Sequence, residues 1–324
     1  MNFNTCNKKK SNSLRENAVK ENLVLYVCLA YMIKWVEKSV KALNEKKMDK
    51  ILDVERGRKM EFRPCIDIHN GKVKQIVGGS LVDKGNQAEE NFVSEQDGSF
   101  YANLYKKDGL KGGHIIILNP VGSEYYEADV EQAMLALRAY PGGLQVGGGI
   151  TNENAKRFID AGASHVVVTS YVFKDGKINY ENLNKLVDAV GKEHLVLDLS
   201  CRKKKDEQGD YHYYVVTDRW QKFTDTILDE NVMNSLSKYC DEFLIHAVDV
   251  EGKANGVETE LVKILSKCKN LTITYAGGVG NFRDLEDLKI LGNNQINVTI
   301  GSALDLFGGT MCYENVLKKC GEKL

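Results

Sequence analysis

The chain has 324 residues, 43% of them hydrophobic and 27% charged, with a formal net charge of −1. This is the composition of a soluble globular protein of one large domain or two ordinary ones. It lacks the basic footprint that nucleic acid requires, so an anionic ligand must be held by local groups. Eight cysteines are scattered with no CxxC pair, which speaks for reduced thiols and against zinc.

Residues 1–59 read differently from the rest. Met1–Lys20 is polar, and Leu23–Val36 is an apolar run broken by Lys34. The run is shorter than the roughly 20 residues of a membrane span, and Lys34, Glu37 and Lys38 stand where a signal peptide would have small residues. Glu16 and Glu21 speak against an organelle transit peptide, and a start at Met48 or Met60 is a further option. The expectation is an extension outside the fold, helical over Leu23–Lys46 or disordered, ahead of one domain at 60–324.

From Met60 onward, short apolar runs alternate with amphipathic stretches. The first strand is read at Arg63–Ile68 and a helix at Ser94–Asp108. A strand at His114–Leu118 precedes a helix at Val130–Tyr140. Leu144–Val146 is followed by a helix at Glu153–Ala161, capped by Asn152 and ended by Gly162. His165–Thr169 and the helix Tyr180–Val190 close the first half. The second half repeats the pattern: His194–Leu199 with Asp229–Cys240, Phe243–Val248 with Val257–Lys267, and Leu271–Tyr275 with Phe282–Leu291, then a last strand at Ile296–Ile300. Continuous apolar runs suit parallel strands buried on both faces. Eight strands alternating with helices in this length predict an α/β fold, a (β/α)8 TIM barrel. A doubly wound open sheet is the alternative, but no GxGxxG follows the first strand.

The halves match in detail. Gly148 and Gly278, Asp67 and Asp198, and Ser170 and Ser302 are separated by 130, 131 and 132 residues, which points to a two-fold half-barrel repeat. Gly148 and Gly149 follow the third strand, and Gly277 and Gly278 the seventh; Thr169 and Ser170 follow the fourth, and Gly301 and Ser302 the eighth. All are expected on the C-terminal face, where barrel enzymes keep their sites. Glycines there let backbone N–H groups approach an anion, and the segment SALDLFGG (302–309) reads as a short helix aimed inward. Two such grips facing each other suit a ligand with a phosphate at each end. Asp67 and Asp198 sit late in the first and fifth strands. Two facing carboxylates, costly to bury unanswered, point to acid–base chemistry on the middle of that ligand.

The segments CIDIHNGKVKQIVGG (65–79), LQVGGGI (144–150), LVLDLSCRKK (195–204), VTDRWQKF (216–223), HAVDVEG (246–252), YAGGV (275–279) and IGSALDLFGG (300–309) resemble the histidine-pathway isomerase family called HisA, in its plant and fungal form. The resemblance covers the whole barrel and leaves residues 1–60 without a counterpart. It implies an Amadori aldose–ketose isomerisation of ProFAR to PRFAR, with Asp67 as the general base at C2 of the opening ribose. Asp198 would be the general acid at the ring oxygen, with a raised pKa suiting that role. No metal or organic cofactor is implied, since a protonated imine is already an electron sink. Trp220, in a long loop after the fifth strand, matches a tryptophan that stacks on the carboxamide, and Arg219 is a weaker candidate for phosphate or carboxamide. Lys72 and Gln75 are read as a lid. Many bacterial members carry His-Thr at the end of the sixth strand; here the pair is His246-Ala247, so His246 or Asp249 is the candidate for that role. The sister cyclase HisF shares the duplication, but DIHNGKVKQIVGG and the Trp220 loop favour the isomerase. A barrel that binds a bisphosphate as a sensor is the non-enzymatic alternative. The expected partner is a bis-phosphorylated small molecule, with no nucleic acid and no membrane. The expected state is a cytoplasmic monomer, with a plastid as the alternative if residues 1–59 are a transit peptide.

Overall fold

The computed structural model describes Lys34, residues 59–76 and residues 90–321. The expected helix over Leu23–Lys46 lies outside the described residues, Lys34 apart. Residues 59–324 form one compact unit. No described helix is long and apolar enough to cross a membrane.

Eight parallel strands build the barrel: β1 (Cys65–His69), β4 (Gly113–Ile117), β5 (Leu144–Gly147), β6 (His165–Val168), β9 (Leu195–Asp198), β13 (Glu242–His246), β14 (Thr272–Ala276) and β15 (Asn297–Thr299), neighbours in that order. The ring closes ahead of β1. The Arg63 N–H donates to Val298 O at 2.8 Å, the Val298 N–H donates to Glu61 O at 2.9 Å, and Phe62 bridges Val298 in parallel. Eight helices follow the eight strands among the described residues: α1 (Gly98–Lys107), α2 (Tyr126–Ala139), α3 (Ala155–Asp160), α4 (Tyr180–Val190), α5 (Glu230–Leu236), α6 (Thr259–Leu265), α7 (Phe282–Leu291) and α8 (Tyr313–Cys320). Each buries an apolar stripe against the strands, such as Leu183 and Leu186 of α4, as one-sided helices must. Asp229 caps α5 by accepting from the Val232 N–H, and Asn281 with Asp284 forms a capping box on α7.

Four readings are corrected. Asn152 does not cap α3. Asn154 precedes that helix, accepting from the Thr151 N–H at 2.8 Å and donating to Gly149 O at 2.9 Å, so it braces the glycine turn instead. The segment after β15 is a single 3-10 turn over Asp305–Phe307, three residues beyond Ser302, so no helix end points from that serine. Lys72 and Gln75 do not lie in a loop but in β2 (Lys72–Ile76), an antiparallel extension of β1 that also pairs with β3 (Glu90–Val93). The long loop after the fifth strand is a three-stranded antiparallel sheet of β10 (Cys201–Lys205), β11 (Tyr211–Thr217) and β12 (Lys222–Ile227). Its exposed lysines pack on aromatic rings: Lys203 and Lys205 lie over Tyr211, and Lys204 lies over Tyr214 and Phe223. Such cation–π contacts give a lysine-rich strand apolar partners. A small hairpin, β7 (Phe173–Lys174) with β8 (Lys177–Ile178), follows β6.

The N-terminal end of the barrel is plugged by Glu242. It accepts from Gln145 Nε2 at 2.9 Å and Thr274 Oγ1 at 2.5 Å and pairs with Arg63 at 3.3 Å. A buried carboxylate is tolerable when several donors satisfy it. That leaves the other end for chemistry.

Candidate active site

The C-terminal end opens into a cavity of about 870 Å³, within the usual range for a small-molecule site. Of the residues singled out from the sequence, thirteen candidate site residues line it, Asp67, Gly148, Gly149, Thr169, Ser170, Asp198, Arg219, Trp220, His246, Gly277, Gly278, Gly301 and Ser302, as does Gln75, whereas Lys72 and Asp249 do not. The strand order explains the placement. Asp67 on β1 and Asp198 on β9 are four strands apart in a ring of eight, as are β5 and β14, and β6 and β15.

The two glycine turns share a backbone. Gly148 and Gly149 have φ of +104° and +69°, and Gly277 and Gly278 have +125° and +77°. The structural offset of the repeat is thus 129 at these turns, one less than the sequence alignment gave. A Cβ on Gly148 would overlap the Ile117 carbonyl, and one on Gly278 the Gly256 carbonyl, so these turns need glycine on two counts. The N–H groups of Gly149, Gly278, Ser302 and Ala303 donate to no other group among the described residues, which leaves them for an anion. The hydroxyls of the first half are already engaged: Thr169 Oγ1 donates to Asp198 Oδ2 at 3.2 Å, and Ser170 Oγ accepts from the Asp218 N–H at 3.1 Å.

The two aspartates stand in opposite surroundings. Asp67 accepts from Gln75 Nε2 at 3.1 Å, with the Cys65 thiol beside it. Burial, with the charge of Glu251 facing it, pushes its pKa up to about 7. Asp198 is buried among donors. Its Oδ1 accepts from the Ser200 N–H at 2.9 Å and the Ser200 hydroxyl at 2.8 Å and lies 3.3 Å from His246 Nδ1. Burial alone would raise it, but His246 and the hydroxyls of Ser200 and Thr169 together hold it below the ordinary carboxylate range. A raised pKa would have suited the acid role that the resemblance implies; the surroundings of Asp198 favour its ionised form instead. His246 moves the other way. Burial, the largest single influence, opposes its charge, but the charge and hydrogen bond of Asp198, with the charges of Glu251 and Asp67, together raise it to about 9.

Trp220 sits in the tight turn between β11 and β12, where Asp218, Arg219 and Trp220 all have left-handed φ, +50°, +56° and +67°. Three consecutive non-glycine residues in that region cost energy that the surroundings must supply. The indole Nε1 donates to Ser200 Oγ at 2.9 Å, and its ring lies 5.7 Å from that of His246. Asp249 faces away from the site, binding Arg202 Nε and the Lys203 N–H, both at 2.9 Å. It anchors the inserted sheet, so of the two candidates for the strand-six role only His246 is in the cavity.

Sequence reasoning missed Glu251, Gln75 as a partner of Asp67, Ser200 and His114. Glu251 lines the cavity, its Oε2 is buried with no hydrogen-bond partner among the described residues, and burial raises its pKa. The signal was an acid directly before Gly252, in a motif read for Asp249 instead. Cys65, Asp67 and His114 bring metal-type donor atoms within 4.8 Å of one another. Burial keeps the Cys65 thiol protonated, and Gln75 Nε2 bridges Cys65 and Asp67 at 3.6 and 3.1 Å. A donor in that position makes this a hydrogen-bonded packing beneath Asp67, not a set of ligands.

Comparison with known proteins agrees with this geometry. The family model described as histidine biosynthesis protein matches residues 61–311. A relative from Medicago truncatula is 52% identical over 262 residues, covering 80% of this chain and 81% of that protein. It bears the name 1-(5-phosphoribosyl)-5-((5-phosphoribosylamino)methylideneamino) imidazole-4-carboxamide isomerase, chloroplastic. Relatives with the same isomerase name from Neurospora crassa and Saccharomyces cerevisiae are 45% and 41% identical, covering 76% and 78% of this chain and 93% and 94% of their own.

Proposed function

The chain belongs to the histidine biosynthesis protein family, and from that premise we propose that it is the isomerase its relatives are named for, converting the aminoaldose ProFAR to the aminoketose PRFAR. The observation that carries the reading is the pair of inward aspartates on opposite strands of one cavity, between two matched glycine turns. The substrate name includes two phosphoribosyl groups, one for each turn with its unpaired N–H groups.

In this reading Asp67 removes the proton from C2 of the opened ribose. A carboxylate near pH 7 is matched to that work, since it is largely free at neutral pH yet basic enough to take the proton. Asp198 delivers a proton to the ribose ring oxygen, and the ring opens to a protonated imine. Trp220 stacks on the carboxamide and Arg219 contacts the ligand from the same turn. Glu251 keeps Asp67 basic. Atoms balance within the substrate: O4 and C1 each gain a proton, and C2 and its hydroxyl each lose one.

Purified protein given ProFAR, without glutamine or ammonia, should yield PRFAR; no turnover would sink the isomerase reading. A cyclase would instead need the nitrogen donor. Residues 60–324 are proposed as the catalytic domain and a monomer as the working state, to be measured by light scattering. The cytoplasm is proposed as the location. The chloroplastic relative makes the plastid the alternative, and residues 1–59 fused to a fluorescent protein would decide between them.

A further inference from the structure

We propose that His246 is the proton store of the acid half of the site: it holds on Nδ1 the proton that Asp198 passes to the ribose ring oxygen. The inference rests on the isomerase reading and adds a residue to it.

The two oxygens of Asp198 face four donors: the Ser200 N–H, the Ser200 hydroxyl, the Thr169 hydroxyl and His246 Nδ1. An amide and two alcohols do not release protons near neutral pH. Of the groups bonded to Asp198, only the imidazole carries a proton it can give. Ser200 also fixes where that proton is. Its single hydroxyl proton is spent on Asp198 at 2.8 Å, and its oxygen accepts from Trp220 Nε1 at 2.9 Å. The 3.3 Å contact between Ser200 Oγ and His246 Nδ1 must therefore run from an N–H on the ring to the oxygen. Nδ1 is a donor, shared between Ser200 and Asp198.

The wider surroundings favour a cationic ring. Asp198 faces it from β9, Asp67 from β1 and Glu251 from the loop after β13, and each raises its proton affinity. Burial opposes this, and His114 of β4 stands edge-on at 6.0 Å, kept neutral by burial with a pKa pushed down to about 3. Trp220 covers the ring from the β11–β12 turn.

The bookkeeping of the step closes. The proton leaves Nδ1 for the ionised Asp198, and the carboxyl so formed passes it to the ring oxygen, whose bond to C1 breaks; His246 is left neutral and Asp198 ionised again. When the enol becomes the ketone, the C2 hydroxyl gives a proton to Asp198, and the pair is restored. His246 acts through Asp198 and is a positioning residue in this sense, not the group that meets the substrate.

The test has a readout that does not need turnover. With the full chain labelled in its histidine rings, NMR of the ligand-free protein should show His246, assigned by its loss in His246→Asn, protonated at pH 7 and titrating near 9. In Asp198→Asn its titration should fall below 7. A ring neutral at pH 7 in the parent protein overturns the proposal even if isomerase activity is present. In turnover, His246→Asn should lower kcat by about 100-fold with KM changed by less than about threefold. His246→Ala should be partly restored by added imidazoles, more so by those protonated at the assay pH. A His246→Asn variant within about threefold of the parent kcat, or rescue indifferent to the imidazole's charge, would also overturn it.

Discussion

The two halves of this barrel are built alike but solvated differently at one point. Both begin with an inward aspartate on their first strand, and both carry after their third strand a glycine turn with a similar pair of positive φ angles. Yet Asp67 has one amide donor and a facing carboxylate, while Asp198 has three protein donors and a facing imidazole. Duplication supplies two equivalent positions, and the neighbours decide the charge each holds. The difference lies in few residues: Gln75 and Glu251 around one aspartate, Ser200, Thr169 and His246 around the other.

The largest expected effect comes from erasing either member. Asp67→Asn and Asp198→Asn should each lower kcat by about 1,000-fold or more, within the span general acid–base catalysis supplies. ProFAR should still bind, measured by calorimetry; full activity in either variant removes that residue from the mechanism. Next comes the pH profile of the parent enzyme. Asp67 must be ionised to act, so kcat should rise with pH through about 7. The His246–Asp198 pair must hold its proton, so kcat should fall through about 9. Glu251→Gln sharpens the contrast, since losing the like charge lowers the pKa of Asp67. The acid limb should move to lower pH, with kcat down about tenfold at neutral pH; an unmoved limb would detach Glu251 from Asp67.

A smaller effect concerns stability. Asp67 has a raised pKa in the fold, so ionising it there works against folding, fully so above about 7. Asp67→Asn should therefore raise Tm at pH 8 by a few degrees, roughly what 1 kcal/mol gives a chain of this size, and by less at pH 5. Equal shifts at both pH values would mean the carboxylate is not strained by its charge. The smallest effect is expected from deleting residues 1–59, which should leave kcat within about twofold; an insoluble product would show that the extension packs on the barrel.

The barrel was legible because its strands are buried on both faces, so apolar runs such as HIIIL (114–118) stand out without ambiguity, and each strand boundary falls within two residues of its reading. Positions at the strand ends were legible for the same reason, since the C-terminal face follows from the run. What failed was whatever depends on partners. The segment after the fifth strand reads as a long loop until Tyr211, Tyr214 and Phe223 are seen under the lysines of Cys201–Lys205. Glu251 has no role in the sequence reading, because only the loop after β13 brings it into the cavity. The ionised state of Asp198 could not be read at all, because Ser200, Thr169 and His246 reach it from three different segments.

The central claim is the inequality of the two aspartates, and it can be measured directly. Carbon NMR of aspartate-labelled protein, ligand-free, with Asp67→Asn and Asp198→Asn for assignment, would follow both carboxyl groups between pH 3 and 9. The account predicts that Asp67 titrates near 7 while Asp198 stays ionised to below the ordinary carboxylate range. Two equal titrations, or Asp198 holding its proton longer than Asp67, would contradict it.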